Sequence, residues 1–187
     1  VFAAAQARPG QKGSETIATK PPTQHGVIVR MGGVDNDALK EDLKKSSRAL
    51  QGHLRPDASF RQIRWQAEQD RERMLSVLET YGHFSADVIV AVETTTTPPE
   101  ILFNITPGPL FHLEKTTAVF EDQSRSDIPS VSEERRPPAA RAKTILLLEK
   151  RFIQELQNRG FPGANVVKRR LRIRKENEQV DLEVVVY

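Results

Sequence analysis

The chain carries one pattern twice, 78 residues apart. With Gly82 set against Gly160, Met74 aligns with Phe152, Leu75 with Ile153 and Leu78 with Leu156. Ala86 then aligns with Ala164, and Val88 with Val166. Both copies read apolar-apolar-x-x-Leu-x-x-x-Gly-x-x-x-Ala-x-Val, followed by two strand-like runs. The physics is local. A helix that must stop at once takes glycine at its end, where left-handed backbone carries no Cβ penalty. An aromatic just beyond, Phe84 or Phe161, is expected to fold back onto the core, and a small alanine lets the next strand begin tight against the helix. One copy would describe many α+β domains. Two in register, at a period longer than a solenoid repeat, predict tandem domains rather than a stacked array. The length of 187 residues accommodates two units of roughly 80, near the lower end for a self-sufficient core.

The rest of the pattern completes each unit. Residues 1–24 mix Pro, Gly, Ser, Thr and Lys without apolar period and predict a flexible leader. Within it, Ala5-Gln6-Ala7 has the A-x-A form of a secretory cleavage site, so a signal remnant and a plain disordered tail are both expectations. Val27–Met31 predicts a strand closed by Gly32-Gly33. Asp35 or Asn36 can cap a first helix reaching Leu54. Arg55–Ser59 breaks it, and Ser59 with Gln62 forms a capping-box pattern for a second helix over Phe60–Tyr81, with the apolar stripe Phe60, Ile63, Ala67, Met74, Leu75 and Leu78. Ala86–Val92 and the alternating Ile101, Phe103, Ile105 predict a hairpin, ended by Pro107-Gly108-Pro109.

The second unit repeats the theme: a strand over Phe111–Phe120, a loop over Gln123–Pro138, a helix over Ala139–Asn158, and strands over Ala164–Ile173 and Val180–Val186. Its first helix is weakly specified, with one turn available at Val131–Arg136. The expected architecture is α+β: two tandem βααββ units, each a three-stranded mixed sheet with helices on one face. The expected divisions are 1–24, 25–108 and 109–187.

Chemistry can be searched for by residue type. With no cysteine, disulfides, cysteine-bound zinc and thiol nucleophiles are excluded. His25, His53, His83 and His112 stand singly, without the spacing of metal ligands, and read as solvated or packed. There is no G-x-S-x-G and no phosphate-binding glycine loop. Glu133-Glu134 sits beside Arg135-Arg136 in a loop and reads as solvated charge; Trp65 is expected at a core edge rather than in a ligand platform. A non-enzyme without catalytic, cofactor-binding or metal sites is expected. The net charge of +3 demands neither nucleic acid nor lipid, although residues 26–108 carry about −2 and residues 109–187 about +3.

One charge cluster stands out. In a strand, Lys168, Arg170, Arg172 and Arg174 share one face, and Leu171 and Ile173 the other. A solvated face that discourages edge aggregation accounts for it; so does docking of an acidic partner or of lipid phosphates. RNA binding of the KH type shares the βααββ order, but it needs a G-x-x-G loop between two helices. Here that joint is Arg55-Pro56-Asp57-Ala58, and Gly10-Gln11-Lys12-Gly13 lies in the leader, so no nucleic-acid partner is expected.

The stretches Ala67-Glu68-x-Asp70-x-x-Arg73-Met74-Leu75-x-x-Leu78-x-x-x-Gly82-x-Phe84-x-Ala86-x-Val88, Ile105-Thr106-Pro107-Gly108-Pro109-Leu110-Phe111 and Leu156-x-x-x-Gly160-Phe161-Pro162-x-Ala164-x-Val166 resemble the periplasmic polypeptide-transport (POTRA) repeats of the TamA and BamA outer-membrane assembly factors. The resemblance covers residues 26–187, with His83 standing where an aromatic is usual. It implies a protein-binding module on the periplasmic face of the bacterial outer membrane that recognises polypeptide by β-strand addition. The edge candidates are Ala86, Val88, Val90, Val92, Ala164 and Val166, with Pro107, Gly108 and Pro109 as the interdomain joint. The implied partners are unfolded outer-membrane protein clients, a TamB-like periplasmic protein, and the protein's own C-terminal β-barrel after a third repeat. A POTRA pair from a two-partner secretion transporter or another BamA relative is the alternative, and an unrelated basic α+β nucleic-acid binder stands behind it.

Overall fold

A computed structural model describes residues 26–55, 58–121 and 137–187. The leader, with its A-x-A and G-x-x-G patterns and His25, therefore lies outside the described residues. So do most of the loop after Phe120 and the helical turn expected at Val131–Arg136.

The first unit runs β1 (Ile28–Gly32), α1 (Asp37–Ser46), α2 (Phe60–Thr80), β2 (Asp87–Glu93) and β3 (Glu100–Thr106). Asn36 caps α1 by accepting the Leu39 amide at 3.0 Å. Ser59 and Gln62 form the expected capping box on α2. The second unit runs β4 (His112–Phe120), α3 (Ala142–Asn158), β5 (Val166–Arg174) and β6 (Gln179–Val186).

The fold is α+β, with two three-stranded mixed sheets and helices packed against them. The sheet orders are β1-β3-β2 and β4-β6-β5. The last strand is central in each sheet: it pairs parallel with the first and antiparallel with the second. Each sheet has its own core. Phe103, Ile101 and Val88 meet Leu43, Ile63, Met74 and Leu78 in the first. Val180, Leu182 and Val184 meet Phe152, Leu156 and Phe111 in the second. Every such side chain fully buried contributes ~1.5–3 kcal/mol.

Both helix ends close alike. The His83 amide donates to the Leu78 carbonyl at 3.0 Å, and the Phe161 amide to the Leu156 carbonyl at 3.1 Å. Gly82 and Gly160 take φ of +92° and +97°. The repeat is thus one turn geometry written twice.

Four details depart from the expectation. The first helix stops at Ser46 instead of Leu54, because the Ser47 hydroxyl and the Ala49 amide both donate to the buried Asp70 carboxylate at 2.8 Å. Ala49 is nonetheless buried, and Leu50 and Leu54 pack on the core from irregular backbone. Phe60 is 58% exposed and does not belong to the buried stripe of α2, and Trp65, 62% exposed, stands in solvent instead of at the core edge. Phe84 turns away from its own core and packs edge-on against Phe111 of the second unit, with ring centres 5.5 Å apart. Phe161 packs on Phe120 within its own unit.

Candidate functional site

In each sheet the hairpin strand, β2 or β5, is terminal: among the described residues it pairs on one side only. β2 alternates cleanly. Val88 is buried and Val90 and Val92 are half-buried toward the helices, while Asp87, Ile89, Ala91 and Glu93 are exposed on the opposite face. Ala86 and the buried Ala164 precede the strands and lie in the turns that launch them. What these edges offer a partner is backbone, together with the exposed face.

The backbone of β2 is not wholly free. Arg71 of α2 donates from Nε to the Val88 carbonyl at 2.8 Å. Position 149, the counterpart of Arg71 under the 78-residue shift, is glutamate. Glu149 is buried and grips Arg169 of β5 by two bonds, 2.6 and 2.8 Å, from Nε and the terminal nitrogen. One helix position therefore clasps the edge strand in both units, through a carbonyl in the first and through a side chain in the second.

β5 begins with an irregularity between Val166 and Lys168 that leaves Val167 out of register and half exposed. From Lys168 onward the alternation is regular. Arg170, Arg172 and Arg174 stand opposite Glu183, Asp181 and Gln179 of β6; Leu171 and Ile173 stand opposite the buried Leu182 and Val180. Arg170 pairs with Glu183 at 2.6 Å and Arg174 with Asp181. Lys168 and Arg172 have no ion-pair partner among the described residues. Leu171 is 39% exposed and Ile173 41%, since among the described residues no strand lies beyond them.

The joint between the sheets is built from three short segments. The Phe111 amide donates to the Gly82 carbonyl at 3.0 Å, and the Ala140 amide to the Phe111 carbonyl at 2.8 Å. A Cβ on Gly82 would stand 3.1 Å from the Leu110 side chain. Gly108 takes φ +68°, between Pro107 and Pro109, and the His83 ring lies 3.2 Å from its carbonyl. The opposite edge of the second sheet is partly covered, since Ala139 bridges to His112 of β4 and the Pro138 carbonyl accepts the Leu113 amide.

Sequence reasoning missed the roles of Asp70, Arg71 and Glu149. Asp70 and Glu149 left a trace, as acids set among apolar positions of a helix; Arg71 left none. Among the described residues no group of three or more His, Asp or Glu could hold a metal ion, and no helix is long and apolar enough to cross a membrane.

No family model and no curated protein matches this chain. Among solved structures it is similar to POTRA1-3 of the periplasmic domain of Omp85 from Anabaena, at 21% identity over 85% of this chain and 59% of that one, with a TM-score of 0.45. It is similar to POTRA1-2 of the same domain at 20% identity, over 89% and 97% of the two chains, with a TM-score of 0.43. A third is BamA from Haemophilus ducreyi lacking POTRA domains 1-3, at 20% identity over 84% and 28%, with a TM-score of 0.43. The chain spans about three-fifths of the first of these.

Proposed function

We propose that this chain is a pair of POTRA domains, 25–108 and 109–187, from a TamA-like outer-membrane assembly factor, and that it binds extended polypeptide by strand addition on the periplasmic side. The observation that carries the proposal is the repeated open edge: β2 and β5 each end their sheet at the same place in the same topology. A strand laid there gains backbone hydrogen bonds with little demand on its sequence. That suits binding of many unfolded barrel proteins, and it needs no catalytic group. A TamB-like periplasmic protein and the protein's own barrel are the further partners of this reading, with Pro107-Gly108-Pro109 as the joint between domains.

The test is site-specific photo-crosslinking. A photoreactive residue replaces Ile89 or Arg172, both exposed on edge strands, or Arg30 on the opposite edge of the first sheet. The chain is then mixed with a barrel protein diluted from urea. Crosslinks at 172, at 89 or at both, absent at 30 and absent with the folded barrel, are the expected result. Capture that is equal at all three positions would remove strand addition as the mode.

A further inference from the structure

The two edges are not equivalent, and their difference names a class of ligand. We infer that β5 is the working edge of this chain and that it selects extended segments alternating aliphatic with acidic residues. This rests on the reading that the edges take strands.

Strand addition needs outward carbonyls and amides to be free. On β2 the Val88 carbonyl is already held by Arg71 at 2.8 Å, so an arriving strand must first displace a guanidinium. On β5 the corresponding helix residue, Glu149, engages the Arg169 side chain instead. Among the described residues no side chain bonds to the backbone of Val166–Arg174. That edge is ready.

Its two faces then define the guest. On the outer face Arg170 and Arg174 are neutralised from within, by Glu183 and Asp181 of β6. Lys168 and Arg172 are left over, four residues apart and hence ~13 Å along the strand. Acids at positions i and i+4 of an added strand would lie directly beside them. On the inner face Leu171 and Ile173, each about two-fifths exposed, offer aliphatic surface that an added strand would cover at its alternate positions. A phosphate surface pressed against the cations cannot touch Leu171 and Ile173, which lie on the other side of the sheet. A strand in the plane of the sheet reaches both.

The 187-residue chain is titrated against three labelled, capped nine-residue peptides: valine alternating with glutamate, with glutamine, or with lysine. Binding is read by fluorescence anisotropy, and the edge engaged by hydrogen exchange. The glutamate peptide is expected to bind about tenfold tighter than the glutamine one and to protect β5 amides rather than β2. A Lys168→Gln, Arg172→Gln double variant, checked for folding by circular dichroism, should lose the preference while keeping glutamine-peptide binding. In Arg71→Ala, protection should extend to β2.

Equal affinity for glutamate and glutamine peptides, with β5 protected, would overturn the selection and leave strand addition standing. Failure of every peptide to protect either edge, with phosphatidylglycerol vesicles binding through Lys168 and Arg172, would overturn both and assign the cations to lipid phosphate. A concentration-dependent dimer that the glutamate peptide does not disperse would assign the edge to a second copy and equally overturn the inference.

Discussion

Asp70 has no exposed surface, and its carboxylate is met by four donors. Ser47, Ala49, Gln66 and Arg73 all donate to its two oxygens at 2.7–2.8 Å. It stops α1 and fixes that helix against α2. Asp70→Ala would strand a buried amide and hydroxyl and is expected to cost about 2–4 kcal/mol in urea unfolding, with Asp70→Asn costing less. A second residue gives a pH signature. The Tyr81 hydroxyl donates to Asp42 at 2.6 Å, and that bond holds its pKa above the ordinary 10.0. The raised group is the protonated one, so its contribution is complete below pH 10 and fades as pH rises through the folded value. Thermal melts of wild type and Tyr81→Phe should differ at pH 8 and converge above that range. Neither partnership was legible in the sequence. The apolar stripe of α2 steps over Asp70, although its place between Ala67 and Met74 marks it as an acid on a buried face. Arg71 bends to a carbonyl 17 residues away, which no local pattern encodes.

At the scale of elements, glycine substitutions separate backbone strain from crowding. Gly33, Gly82 and Gly160 all have positive φ, at 90°, 92° and 97°. A Cβ at Gly160 meets nothing within 4 Å, so Gly160→Ala should cost only the conformational penalty, about 1–2 kcal/mol. At Gly82 it would crowd Leu110 at 3.1 Å, a flexible side chain that can shift. At Gly33 it would sit 1.9 Å from the Ile105 carbonyl oxygen, which cannot move without displacing the central strand β3. The expected loss of stability therefore rises from Gly160 through Gly82 to Gly33, read by chemical denaturation of the three alanine variants. Order and type of these elements were legible, because periodicity and glycine stops are local signals. Helix α1 overshot, since what ends it is a carboxylate on α2 and not a breaker in its own sequence. The alternation of β5 was legible from its basic and aliphatic residues. Which cations stay unpaired was not, because that depends on where β6 places Glu183 and Asp181.

At the scale of the whole molecule, one aromatic contact joins the two cores among the described residues. Phe84, launched from the end of α2, supports Phe111 at the base of the second core. Phe84→Ala is expected to cost about 1–2 kcal/mol and to loosen the coupling between units. Denaturation followed separately at each sheet by hydrogen exchange should then show two midpoints in place of a shared one. The sequence motif located Phe84 correctly but assigned it to the wrong core, because spacing along a chain cannot say which of two adjacent cores an aromatic will enter.

That same contact bears on how such units can be recombined. A crossover placed in the proline-rich stretch looks neutral, yet it would pair a foreign ring, or none, with Phe111. Swaps made there should yield proteins that misassemble unless residue 84 travels with the downstream half. The seam at which these modules can be exchanged therefore runs through the tip of a helix and not through the linker.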